Sequence, residues 1–404
     1  MSNLIAVADA LSAPDAAALS LRQFWFADAA QSVIRWHDRL QSARTTGLQD
    51  AQRVLSALQV LPAQRVGRCL NAPVPRWCLH QPDDRVAVAG AALAAIDASG
   101  AVSDELRGPL GALTGTLSLE LTAHWIDTRT GIWESMHETD RVAFGNDWLL
   151  LAQRDAVLAG TTIDAYPKLR APEARADFRM RLIGALQLLR SAAPGFARAI
   201  QGFIRAVIPM QAPVRGLPST STNAVPGAIC VTATADEALL AEQIMHEGTH
   251  ALLFLMQEVD PLLDPERHGD GWGEPLLYSP WRDDARPLNG LLHGCAVFLR
   301  VAWLHARLAD QHAASRRRLA ALGPQVRMAL EGLQSHACLT RTGRHLLLGL
   351  LESEGLLSDC RPEWAGDVIE PLYVECSSIL DEVGPAMRRQ AAHRGRAKMG
   401  TARP

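Results

Sequence analysis

The chain has 404 residues, 48% of them hydrophobic, and a formal net charge of −3. That length is ample for a sizeable core, as two domains or one large elaborated one. The near-neutral balance lacks the electrostatic footprint of a nucleic-acid binder or of a protein held on an anionic membrane. The basic run "RRQAAHRGRAKMGTARP" at the C-terminal end reads as a solvated tail.

The N-terminal stretch has no basic region, and Asp9 and Asp15 break its apolar residues, so it does not read as a signal peptide. No segment has the apolar length that spans a bilayer. The seven cysteines, at 69, 78, 230, 295, 338, 360 and 376, are odd in number and form no CxxC pair. They read as reduced thiols of a cytoplasmic protein.

In chain order, apolar spacing of three and four residues predicts helices near 14–35, 47–60, 172–191, 235–258, 288–309, 311–336 and 362–392. Pro172 suits a first helical turn. Between about 84 and 165 the texture changes: "RVAVAG" and "GTLSLEL" alternate as half-buried strands do. "GAICVTAT" predicts a further strand running directly into the helix "TADEALLAEQIMHEGTHALLFLMQEV", with Thr234 as its cap and Glu237 completing a capping box. The expected fold is mainly α, of the α+β class: a helical protein with a small central sheet. Loop residues in "TTIDAYPKLRAPEA" place a boundary within 160–172. This makes 1–165 a helical accessory region with some strands, suited to substrate recognition, and 166–404 the metal-binding domain.

His246 and His250 lie four residues apart, on one face of that helix and one turn from each other, so both imidazoles can reach one ion. Both sit in an apolar stretch, where an unpaired imidazole would be costly to bury. Glu247 stands beside the first as an acid–base group or a support for the ligands. A metzincin continuation would need histidine at position 256, where the chain has Met256. Glu274, 24 residues after His250, would serve as a gluzincin-like third ligand but lies in the loop-like "HGDGWGEPLLY". His293, 43 residues after His250, is better placed, in the first turns of the helix "PLNGLLHGCAVFLRVAWLHARL". Gly290 and Gly294 beside it would admit a close neighbour. The loop before it collects Tyr278, Ser279, Trp281, Arg282 and Arg286. An arginine fork there could grip a carboxylate, or the arginines could simply pair with Asp283 and Asp284.

"GAICVTAT", "LLAEQIMHEGTHALL" and "YSPWRDDARPLNGLLHGCAVF" together resemble the HExxH-motif, α-ketoglutarate-dependent peptide β-hydroxylases of gene clusters for ribosomally made, modified peptides. The resemblance spans about 215–310. It implies iron(II), α-ketoglutarate and O2 as cofactors and a precursor peptide as substrate and partner. His246, His250 and His293 would be the metal ligands, and Arg286, with Arg282 and Tyr278 nearby, would be the co-substrate side of the site. The metal would then sit between the HExxH helix and the downstream helix. Non-haem iron oxygenases need three ligands on one face with open positions. The commoner triad carries one carboxylate, whereas this set is all imidazole, which keeps Glu274 in play.

Two other chemistries compete. A zinc metallopeptidase would use Glu247 as general base on a metal-bound water. A non-catalytic peptide-binding protein would hold a structural metal with four ligands, and no fourth is evident. The pattern of His268, Asp270 and His293 also fits a cupin-type dioxygenase, but the chain lacks the run of strands that such a barrel needs.

Overall fold

The computed structural model describes residues 18–113, 115–145, 147–152, 169, 171–201, 203–211, 219–264, 276–282, 285–334 and 338–359, with backbone alone for 18–30, 259, 358 and 359. The chain divides into two compact units, one of residues 22–188 and 199–251, the other of 1–21, 189–198 and 252–404. The fold is mainly helical with small sheets, as expected. The predicted boundary at 160–172 and the predicted helix 362–392 fall largely or wholly outside the described residues.

The first unit opens with helices α1 (Ala18–Thr45), α2 (Gln49–Gln59), α3 (Ala63–Leu70), α4 (Pro73–Leu79), α5 (Asp84–Ser99) and α6 (Asp104–Leu110). The segment "RVAVAG", expected as a strand, is the start of α5. Its six alternating residues belong to a longer alanine-rich run that is buried on every side from Ala87 to Ala98, so helix propensity and burial override the short alternation. The Asp83 carboxylate accepts from the Arg85 backbone N–H at the start, and Gly100, at φ 74°, ends the helix. A Cβ on Gly90 would stand 2.3 Å from that of Cys78, so α4 and α5 meet where only glycine fits.

"GTLSLEL" does form a strand, β1 (Thr116–Leu119), in an antiparallel meander with β2 (His124–Asp127) and β3 (Trp133–Ser135). A second sheet has the order β4-β5-β6-β8-β7, from β4 (Arg141–Phe144), β5 (Asp147–Leu151), β6 (Ala206–Met210), β7 (Thr220–Ser221) and β8 (Ala228–Thr232). β5, β6 and β8 run parallel, and every residue of β6 and β8 is buried, as central parallel strands require. β7 caps one edge, antiparallel to β8. Helix α7 (Pro172–Ala192) begins at the expected proline.

A buried ionic network ties this unit together. Arg205 donates from Nε to Glu120 at 2.9 Å and from Nη1 to Asp147 at 2.7 Å, and Arg68 reaches the same aspartate. Burial pushes the Glu120 carboxyl up, and the Arg205 guanidinium opposes that shift.

Helices α8 (Pro194–Gln201) and α9 (Glu237–Val259), like α1 and α7, each carry residues of both units. The second unit adds the ribbon of β9 (Leu276–Leu277) and β10 (Arg286–Pro287), then α10 (Leu288–Leu308), α11 (Ala313–Gln334) and α12 (Arg341–Asp359). α12 is anchored at its first turn, where Thr342 donates to Asp260 and Leu263 bridges Leu339. Among the described residues, no helix is long and apolar enough to cross a membrane.

Candidate metal site

The HExxH helix α9 is capped by Asp236, not by Thr234 as expected: its Oδ1 accepts from the N–H groups of Ala238 and Leu239, while Thr234 Oγ1 accepts from the N–H of Asp236 itself. Asp236 sits one residue before the helix, where its carboxylate accepts from two otherwise orphan N–H groups at once. Two turns in, Gln243 locks α9 to the end of β8. Its Oε1 accepts from the Thr232 N–H at 2.7 Å and its Nε2 donates to the Thr232 carbonyl at 3.2 Å.

One turn further along, Glu247 is 2% exposed, and both its oxygens are engaged. Ser219 Oγ donates to Oε1 and Ser221 Oγ to Oε2, each at 2.6 Å. Ser221 ends the edge strand β7 and Ser219 directly precedes it; two residues apart, they present their hydroxyls to the same carboxylate. Burial pushes the Glu247 carboxyl up to about 7, while the two serine hydroxyls pull the other way.

His246 and His250 are the two residues between Ala241 and His250 that are not buried. Their rings lie 5.0 Å apart, edge to face, and His246 Nε2 is 3.8 Å from Glu247 Oε1. Two imidazoles one turn apart, on the accessible stripe of a buried helix, fit two positions around one metal ion. Among the described residues, no three His, Cys, Asp or Glu side chains gather as an ion would need. Glu274, His268 and Asp270 lie outside the described residues.

His293, near the start of α10, is 4% exposed, and burial lowers its pKa to about 4, so the ring is neutral at ordinary pH. Its Nε2 donates to Gln257 Oε1 at 3.0 Å, and Gln257 Nε2 donates to Asn289 Oδ1 at 2.7 Å. The Phe254 ring leans on the imidazole at 5.5 Å between centroids.

The preceding loop behaves as the glycines foretold in one place. A Cβ on Gly294 would stand 2.9 Å from Trp281 Cζ3, so that glycine lets the indole lie on α10, where it stacks on Phe298 at 4.6 Å. Gly290 has ordinary room, its Cβ position 3.7 Å from Arg286 Nε. Arg286 is half-buried in β10, and among the described residues no hydrogen bond or ion pair engages its side chain. Arg282 is exposed, Tyr278 is half-buried, and both already have interaction partners.

Ser219, Ser221, Gln257 and Asn289 were missed by sequence reasoning. The alternating Ser-Thr-Ser was the available signal for the first pair, and the seven-residue step from His250 to Gln257, two turns along one face, for the second. No family model matches the chain, and no curated protein matches it.

Proposed function

We propose that this protein is an iron(II)- and α-ketoglutarate-dependent oxygenase that hydroxylates the β-carbon of a residue in a ribosomally made precursor peptide, in the cytoplasm. His246 and His250 would hold the iron; the resemblance implies His293 as the third ligand, but among the described residues no third ligand gathers with the pair. Iron(II) with α-ketoglutarate and O2 supplies the oxidation of an unactivated C–H bond, the co-substrate leaving as succinate and CO2. The observation that carries the reading over hydrolysis is the state of Glu247. Both Glu247 oxygens are held by serine hydroxyls at 2.6 Å, which takes half of the carboxylate's acceptor sites and fixes its orientation, as suits a residue that supports the ligand helix. Arg286, half-buried and without a hydrogen-bond or ion-pair partner among the described residues, just before the helix that bears His293, supports the co-substrate assignment. The buried free thiols of Cys69, Cys78, Cys230 and Cys295 suit a reducing compartment.

One observation favours a zinc peptidase. A carboxyl pushed up to about 7 is matched to proton transfer near neutrality. A single variant separates the two readings. Glu247→Gln keeps an acceptor for one serine and a donor for the other. In an oxygenase it retains succinate formation within about tenfold of wild type, after anaerobic loading with iron(II) and addition of O2, α-ketoglutarate and the cognate precursor peptide. Removal of a general base lowers turnover by roughly a hundredfold or more. Cleavage of the peptide by the zinc-loaded wild type without α-ketoglutarate, abolished in Glu247→Gln, would overturn the oxygenase reading.

A further inference from the structure

Two hydrogen-bond donors of the second unit, Trp281 and Arg286, lack acceptors among the described residues and stand on one face of α10. Trp281 is half-buried, and its indole N–H is shut off from solvent with nothing to donate to. A buried indole N–H ordinarily finds an acceptor, so one without a partner calls for a reason. Arg286, five residues on, is half-buried with no hydrogen bond or ion pair to its side chain. Two glycines of α10 locate both groups. Arg286 Nε lies 3.7 Å from the Cβ position of Gly290, and Trp281 Cζ3 lies 2.9 Å from that of Gly294. Being four residues apart, the glycines share a face and are separated by about 6 Å along the helix. The indole meets Gly294 through its six-membered ring and stacks on Phe298 at 4.6 Å, which leaves the N–H on the far side of the ring.

We propose that Trp281 is a further ligand-binding residue. Its indole N–H and the Arg286 guanidinium donate together to one carboxylate of a short dicarboxylate, the end of α-ketoglutarate remote from the 2-oxo group. Both groups are donors only, so a shared ligand must be an acceptor, and the guanidinium selects an anion. An arginine fork with a single N–H meets the two oxygens of a carboxylate. A phosphate would leave oxygens unmet beside the apolar stack of Trp281 on Phe298. The assignment rests on the reading of Arg286 as the anchor of the co-substrate, and it calls on no residue outside the second unit.

The test uses the full chain without metal. Glutarate is the probe, because it carries both carboxylates but no 2-oxo group to chelate an ion. The indole 15N–1H signal of Trp281, identified by its loss in Trp281→Phe, is expected to move downfield as glutarate is added. Trp303 is the control: its N–H is also buried without an acceptor, but it lies nine residues past Gly294, on the opposite side of α10, and its signal should stay in place. Trp281→Phe keeps a ring to stack on Phe298 and should weaken glutarate binding by roughly tenfold to a hundredfold. Arg286→Ala should abolish the shift, and inorganic phosphate should not produce it. A Trp281 signal unmoved by glutarate, or wild-type glutarate affinity in Trp281→Phe, overturns the proposal. So does a shift shared by Trp303, or one that survives in Arg286→Ala. An equal shift with phosphate overturns the choice of a carboxylate. Absence of succinate formation by the iron-loaded wild type would count against the oxygenase alone, because the glutarate measurements involve neither iron nor turnover.

Discussion

Ser221 and Glu247 are 26 residues apart in the chain, yet the serine hydroxyl stands 2.6 Å from Oε2 of the glutamate. With Ser219 on the other oxygen, the edge of the sheet holds the helix residue that lies between the two candidate ligands. Taking away a donor leaves a buried acceptor unmet, which costs about 1–3 kcal/mol. Ser219→Ala and Ser221→Ala are each expected to lower unfolding stability by that amount in denaturant titration. The Glu247→Gln background should shrink the loss, because a neutral amide is cheaper to bury than a carboxylate. Equal losses in both backgrounds would mean that the serines act elsewhere.

The parts of this site that were legible in the sequence are those fixed by local periodicity. His246 and His250 share a face because a helix repeats every 3.6 residues, and the strand before them was marked by its buried apolar run. Ser219 and Ser221 escaped because their meaning depends on how the sheet edge and the helix are placed, which only the fold sets. "RVAVAG" was misread for the same kind of reason. Six alternating residues look alike in a strand and at the start of an alanine-rich helix, and packing against Cys78 decides between them. The capping-box spacing pointed to Thr234, and the cap falls instead on Asp236, directly before the helix.

Arg286 tests the co-substrate. Its half-buried guanidinium has no partner among the described residues, whereas Arg282 is exposed and already engaged. If it grips a carboxylate, its removal costs roughly 2–5 kcal/mol, or a factor of about 30 to several thousand in affinity. Arg286→Ala is expected to raise the α-ketoglutarate concentration needed for half-maximal succinate formation by that factor, with iron content unchanged. Arg286→Lys should recover little, since an ammonium cannot reproduce the planar fork. An unchanged requirement in Arg286→Ala would exclude it from the co-substrate site.

Arg205 is the structural counterpart. Among the described residues it alone donates to Glu120, which is 4% exposed, and it also reaches Asp147. Arg205→Ala strands a buried carboxylate and is expected to destabilise the protein by about 3–5 kcal/mol. Arg205→Met combined with Glu120→Gln should recover most of that loss, because it removes both charges together. Matching denaturation curves for the wild type and Arg205→Ala would show that the network contributes nothing to stability.

Two buried groups should shape the pH dependence of stability in opposite senses. The Glu247 carboxyl is raised from 4.5 to about 7, so between those values the folded chain holds a proton that the unfolded chain has released. Stability then falls as pH rises through that window, by about 3 kcal/mol in all at about 1.4 kcal/mol per pKa unit. The His293 imidazole is lowered from 6.5 to about 4, so between those values the unfolded chain holds the extra proton. Its contribution is fully present above 6.5 and is lost as pH falls toward 4, again by about 3 kcal/mol. In the metal-free wild type the two slopes nearly cancel across roughly pH 4.5–6.5. Single variants unmask them. Glu247→Gln should show stability that climbs with pH through this range, and His293→Asn stability that declines. Denaturant midpoints measured at half-unit steps of pH would check both, and parallel profiles for the two variants would refute the opposed titrations.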